Sequence, residues 1–314
     1  MNEVVGRVSR ILEENLIFVS LLAIVVFFSL ISESFLSLTT LSTLLNQLPA
    51  LTVVSIGMTL VLISGGIDLS VGSVVALSAG VIGAGIAILG LPLPIAACLG
   101  ILTGALVGFA NGSLGAYLRL PIFIVTLGML EVSRGLAYIV TDSQTVYLGA
   151  KIQSFAVPWA GSGISASILV ALTLVVVFEF LLRSTIFGRQ IVAVGSNESA
   201  AEVAGIDPRR VRCTVLVLSG LLAGLGGLMN AAYLGSADPN AGIGLELSAI
   251  AAAVIGGTSL MGGRGSVVGA FVGVLIVSVL QIGLAQIGIT EPTKRVITGA
   301  VIILAVILDR WRAS

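Results

Sequence analysis

Predominantly apolar stretches recur from residue 16 to residue 309, separated by polar breaks of varying length. A hydrocarbon core of about 30 Å takes roughly 20 residues of helix, and fewer where a helix is broken or buried. On that ruler the chain divides into ten segments, near 16–32, 48–65, 70–90, 94–113, 122–140, 164–182, 213–234, 245–257, 267–288 and 296–309. Backbone polar groups in lipid must be satisfied within the segment, which makes these helices. The expected fold is an all-α polytopic integral membrane protein with about ten transmembrane helices, some short or broken. Charged residues make up 10% of the 314, against roughly a quarter in a soluble domain. No soluble domain has room to fold beside the spans, so residues 1–314 read as one transmembrane domain. The first apolar run has no small-residue cleavage site after it and reads as a retained span.

Placing the N-terminus inside and alternating ten spans puts Arg7, Arg10, Arg119, Arg183, Arg189, Arg209, Arg210, Arg212, Arg264, Arg310 and Arg312 on the inner side. Arg134, Lys151, Lys294 and Arg295 fall outside or within the bilayer. That asymmetry obeys the positive-inside rule and predicts both termini cytoplasmic.

Composition also excludes. Fifteen basic and fifteen acidic residues cancel, which argues against a nucleic-acid binder. The chain has no histidine, and Cys98 and Cys213 both fall in or at the ends of spans; a metal site or disulfide framework is not expected. No nucleophile–base constellation for an intramembrane enzyme is present. The glycine-rich segment 256–265 lacks the Gly-Lys-Ser/Thr ending of a phosphate loop. If ATP drives this protein, ATP and Mg belong to a partner chain, and no cofactor is expected on this one.

Glycine is placed with a period. Gly100, Gly104, Gly108 and Gly112 form a four-residue stripe, with shorter ones at Gly220 and Gly224 and at Gly265, Gly269 and Gly273. Such stripes let helix backbones approach closely in lipid. There is also an internal echo. Ile63-Ser-Gly-Gly-Ile-Asp-Leu-Ser-Val-Gly-Ser-Val-Val75 and Ile255-Gly-Gly-Thr-Ser-Leu-Met-Gly-Gly-Arg-Gly-Ser-Val-Val268 share paired glycines, a polar break and Gly-Ser-Val-Val. Paired broken segments of this kind either mark a transporter's working region or reflect the abundance of glycine.

The longest polar interruption, residues 183–212, carries five arginines. Asn197 can cap a short helix whose first turn holds Glu198 and whose later turn holds Glu202. Ala200, Ala201 and Ala204 leave one face nearly free of side chains, and Gly205 supplies the stop. Asp207-Pro208 restarts a helix. These two elbows either seat in another protein's groove or form a charged loop that only fixes topology.

Isolated polar residues mark further candidates for the solute path. Asp68 either caps the helix after its break or faces the path. Asn111 either bonds a neighbouring helix or lines an inner gate. Glu131 and Arg134, three residues apart on one helix face, are expected to pair with each other near the outer third of their span. Glu179 reaches water or Arg183. Loop 141–163, with Tyr147, Phe155 and Trp159, either anchors at the interface or docks an external solute-binding protein.

Several of these segments resemble one family. Asn197-Glu-Ser-Ala-Ala-Glu-Val-Ala-Gly-Ile206 is similar to the EAA-type cytoplasmic coupling loop of ABC importer permeases, with Ser199 where an acidic residue usually stands. Gly66-Ile-Asp-Leu-Ser-Val-Gly-Ser73, the segment 256–273 and Leu120-Pro-Ile-Phe-Ile-Val-Thr-Leu-Gly128 (with Ile122 for a second proline) resemble the ribose-type monosaccharide branch. The matches spread over roughly residues 40–310. The resemblance implies the permease subunit of an ATP-binding-cassette importer, without a catalytic site of its own, in the cytoplasmic (inner) membrane of a prokaryote. It implies a monosaccharide cargo, a cytoplasmic ATPase subunit, an extracytoplasmic sugar-binding protein, and a second permease copy in a homo- or heterodimer. Within the coupling loop 183–212 it singles out Asn197, Glu198, Ser199, Ala200, Ala201, Glu202, Gly205, Arg209 and Arg210 as the residues that meet the ATPase. A stand-alone sugar facilitator or secondary transporter is the alternative. A coupled secondary transporter predicts ionisable groups at the midplane, and only Asp68, Glu131 and Arg134 could serve.

Overall fold

The computed structural model describes residues 2–159 and 164–313. Residues 160–163 of the expected outer loop lie outside the described residues, as do the side chains of Arg7, Arg10, Lys151, Arg310 and Arg312. Thirteen α-helices run in order: α1 (Asn2–Ile31), α2 (Leu38–Ile63), α3 (Val71–Ala87), α4 (Leu93–Gly112), α5 (Ile122–Val140), α6 (Ala150–Gln153), α7 (Ala166–Ser184), α8 (Ile186–Ser196), α9 (Glu198–Val203), α10 (Pro208–Leu234), α11 (Leu245–Ile255), α12 (Val267–Gln286) and α13 (Glu291–Ala313). A π-turn, Ser113–Tyr117, extends α4. Each of the ten apolar stretches falls on a helix.

Among the described residues six segments can cross a membrane by length and composition: Leu38–Ile63, Leu93–Tyr117, Ile122–Val140, Ala166–Ser184, Pro208–Leu234 and Val267–Gln286. Ile17–Ile31, Val71–Ala87 and Leu245–Ile255 are apolar but shorter. The stretch expected to start near residue 48 starts ten residues earlier, at Leu38. Its first turns hold Thr39, Thr40, Ser42, Thr43, Asn46 and Gln47, polar residues that hide a helix from a hydropathy reading. Pro49 lies inside this helix.

The starts of the helices are written in their caps. Ser37, Ser165, Thr185, Asn197, Asp207 and Ser266 each accept a backbone N–H of the first turn with the side chain, which satisfies donors the helix itself leaves free.

Helices α2, α3, α4 and α10 pack together, and glycine sets their spacing. A Cβ on Gly104 would run into Gly220 O and Gly224, one on Gly108 into Leu216 O, and one on Gly112 into Cys213. The second stripe works the same way: Gly269 and Gly273 on α12 lie against Gly256 and the Ala252 carbonyl at the end of α11. These are close backbone-to-backbone packings. Large apolar side chains on the outside stay exposed, among them Phe18, Leu106, Ile139 and Phe180, the surface a lipid environment accepts.

At one end of the bundle the chain makes a short antiparallel pair, β1 (Val146–Tyr147) with β2 (Ser236–Ala237). The opposite end carries α8 and α9.

Candidate functional site at the elbow end

The elbow forms as its residues dictate. Asn197 Oδ1 accepts the Ala200 N–H at 3.0 Å, starting α9. Gly205 ends it at φ +82°, a conformation in which a Cβ is strained. Asp207 Oδ1 accepts from Arg209 N at 3.0 Å and Arg210 N at 3.4 Å, with Pro208 in the first turn of α10. Ala201 is buried against the bundle, in a core shared with Ile191, Val194, Val211 and Ile63. Ala200 and Ala204 are exposed, and Val203 between them is 91% exposed. The small-residue face is therefore split: Ala201 packs inward, and only Ala200 and Ala204 are turned outward, around one free apolar side chain.

The two carboxylates part company here. Glu198 Oε2 pairs with Arg212 Nη1 at 2.8 Å. Among the described residues Glu202 makes no ion pair. Both line a cleft of about 690 Å³ together with Ser199, Arg119, Arg209 and Arg212. Arg210, on the outer side of α10, pairs with Asp207.

Arg212 is the residue that reading the sequence passed over as one more loop charge. Besides Glu198 it reaches the break after α2, donating from Nε to Ser64 O at 3.3 Å. It thus ties α9, α10 and the first glycine break together.

The echo segments meet at the same place. Gly263 N, in the break between α11 and α12, donates to Ile63 O at 2.8 Å. Gly195, near the end of α8, is wedged between them, since a Cβ there would clash with Ile63 O and Gly263 N. The pair of broken segments is thus one contact region seated on α8. Glu179 adds a further tie. Its carboxylate on α7 pairs with Arg183 and also accepts from Val267 N at 2.7 Å and Val268 N at 3.1 Å, capping α12 from another helix. A negative charge is favoured there by both the free N–H groups and the helix dipole.

Deeper in the bundle, Asp68 is 1% exposed. Its Oδ1 accepts from Ser70 N at 3.0 Å and Ser70 Oγ at 2.6 Å, and its Oδ2 from Ser219 Oγ at 2.9 Å. It closes a turn inside the break instead of capping the first turn of α3. Asn111, fully buried, donates to Ser70 Oγ at 2.9 Å. Asp68, Ser70, Asn111 and Ser219 therefore lock the break to α4 and α10.

Glu131 and Arg134 do not form the expected pair; no ion pair joins them among the described residues. Glu131 is exposed. Arg134 instead donates to Pro239 O at 2.5 Å and Ala241 O at 2.8 Å, because the loop after α10 brings two carbonyls within reach of one guanidinium. Tyr138 Oη binds Asn240 Oδ1 of the same loop at 2.7 Å. The Arg134 latch and the β1–β2 pair hold this loop at the end remote from the elbow. At the start of α13 on that end, Lys294 pairs with Glu291 at 2.7 Å and holds its carboxyl below the usual carboxylate range.

The family described as branched-chain amino acid transport system / permease component matches residues 40–306. The chain is 40% identical over 302 residues to the ribose import permease of Bacillus subtilis (strain 168), covering 95% of this chain and 92% of the relative. It is 36% identical over 311 residues to the L-arabinose ABC transporter permease of Azospirillum brasilense, covering 98% and 91%. With the fructose import permease of Rhizobium meliloti the identity is 34% over 303 residues, covering 93% and 84%. No solved structure matches.

Proposed function

The chain belongs to the family of branched-chain amino acid transport system permease components, and from that premise we propose that it is the membrane permease subunit of an ATP-binding-cassette importer whose cargo is a neutral monosaccharide. The relatives' sugar names support the cargo class. The observation that carries the importer reading is the elbow: a capped six-residue helix that turns Ala200, Val203 and Ala204 outward while Arg212 ties it to two transmembrane helices.

In this reading ten helices cross the cytoplasmic membrane of a prokaryote, both termini are cytoplasmic, and the elbow faces the cytoplasm. Two permease copies each receive one ATPase domain, which holds the ATP and Mg. An extracytoplasmic binding protein delivers the sugar at the other end. Asn197 through Gly205, with Arg209 and Arg210, form the seat, Ala201 holding it to the bundle from beneath. Glu202, which makes no ion pair among the described residues, is the carboxylate offered to the ATPase, and Glu198 is the one that passes force inward.

ATP-driven closure of the ATPases then moves α9. Arg212 carries that movement to α10 and the first break, and Gly195 carries it to both breaks at once. Closely packed helices respond as rigid bodies, so the cavity between the two permease copies changes the face to which it opens. Asp68 and Asn111 serve the path by fixing the break to α4 and α10. Arg134 serves it by holding the outer loop, with Glu131 exposed beside it.

Co-expression with the ATPase and binding-protein genes tests the proposal. The expected result is a complex, stable in mild detergent, whose ATPase rate rises with the sugar-loaded binding protein. A lone chain that carries sugar into liposomes without ATP would overturn it in favour of a facilitator.

A further inference from the structure

Polar side chains that neither the elbow nor the sealed Asp68 network uses collect at the remote end of the bundle. Asn230 on α10, Gln281 on α12 and Gln47 on α2 stand on different helices, yet each lines one of two adjoining clefts of about 480 and 430 Å³. Gln281, Glu291 and Lys294 line both, so the clefts adjoin there. Volumes of this order suit a small ligand. Gln47 donates to Tyr233 Oη at 3.1 Å, joining α2 to α10 beside the cleft.

Position follows from helix direction. Each of these residues lies near the helix end opposite the elbow: the start of α2, the end of α10, the end of α12 and the start of α13. Along α10, Arg212 and Tyr233 are separated by 21 residues, or about 31 Å of helix. That separation matches the thickness of a bilayer core, about 30 Å. The clefts therefore open on the face where a solute would arrive.

The chemistry points to one class of solute. An amide side chain offers one acceptor and two donors, which suits a ligand whose hydroxyls both donate and accept. Asn230 Oδ1 is buried with no hydrogen-bond partner among the described residues, and a buried acceptor left free is costly. Charged residues line the clefts as well. Glu291 and Lys294 neutralise each other, and Arg295 is exposed.

Resting on the sugar-importer reading, we infer that Asn230, Gln281 and Gln47 line an outward-facing vestibule that receives a neutral polyhydroxylated solute, the Asn230 amide turning out of its packing to bind one of the hydroxyls.

The test uses the full transporter, permease with its ATPase and binding protein, in proteoliposomes. Uptake of labelled D-ribose, L-arabinose, D-fructose and L-leucine is measured for the unaltered chain and for Asn230→Ala and Gln281→Leu. Loss of one neutral hydrogen bond is expected to cut uptake of the carried sugar about 3- to 10-fold. The melting temperature of Asn230→Ala should stay equal or rise, because the substitution removes an unpaired buried acceptor. Binding-protein-stimulated ATPase activity should persist in both variants. Sugar uptake at the unaltered rate by both variants overturns the vestibule alone. So does an uptake loss that both variants accompany with lower melting temperatures and lost ATPase stimulation. Uptake of leucine and of no sugar by the unaltered transporter overturns the sugar reading itself, and this assignment with it.

Discussion

Gly195 runs directly against the carbonyl oxygen of Ile63, in a space that admits no side chain. The same carbonyl accepts the N–H of Gly263. One atom of the first glycine break thus receives the second break and the end of α8 together. In the proposed cycle any movement of the elbow reaches both breaks through this point.

Gly195→Val is therefore expected to damage both stability and transport. Overpacking a tight contact costs about 1–3 kcal/mol, and here the obstacle is backbone, which cannot rotate away. A lower melting temperature in detergent and loss of ATP-driven uptake are the expected results. A variant that melts and transports normally would show that α8 is not seated in this way.

The two elbow carboxylates should separate cleanly. Glu198→Gln removes the partner of Arg212, and an exposed or half-exposed pair contributes about 0.2–1 kcal/mol. A double-mutant cycle with Arg212→Ala should report a coupling of that size in stability, together with ATP hydrolysis that no longer yields uptake. Glu202→Gln should leave melting unchanged and weaken retention of the ATPase subunit on purification. The reverse pattern would exchange their roles.

Glu179→Ala should destabilise the contact between α7 and α12. Hydrogen bonds to a charged group contribute about 1.5–3 kcal/mol, and this carboxylate receives two from backbone at the start of α12. Glu179→Gln keeps one acceptor and should fall between. Equal melting temperatures for all three forms would mean that Ser266, the local cap, suffices.

What the sequence made legible follows from the range of the physics involved. Asn197, Gly205 and Asp207-Pro208 act within a few residues of themselves, so the elbow could be read from spacing. Period-four glycines on α4 could be read as a packing face, although their partner α10 could not be named. Arg134 went the other way, because a helix-spacing rule favours Glu131 three residues off and is silent about two carbonyls more than a hundred residues on. Glu179 was legible only toward Arg183, since its second bond is to a helix start 88 residues away. Arg212 carried no local signal beyond its charge. Nor did the amides of α2, α10 and α12, which become a group only when the helix ends are brought together.

Gly205 separates a requirement for backbone shape from a requirement for free surface. Its φ of +82° disfavours any side chain, yet a Cβ there meets nothing within 4 Å. Gly205→Ala thus tests the conformation alone, and a strained left-handed position costs about 1–2 kcal/mol per residue; α9 should loosen while uptake falls only in part. Gly205→Trp adds bulk that projects from the elbow into whatever docks there. It should insert in the membrane and melt close to Gly205→Ala, but lose both ATPase retention and uptake. The comparison is made by measuring expression, melting and ATP-driven uptake for the two variants side by side. Uptake by Gly205→Trp equal to that of Gly205→Ala would mean that nothing docks at the elbow's stop, and the seat would have to lie elsewhere along α8.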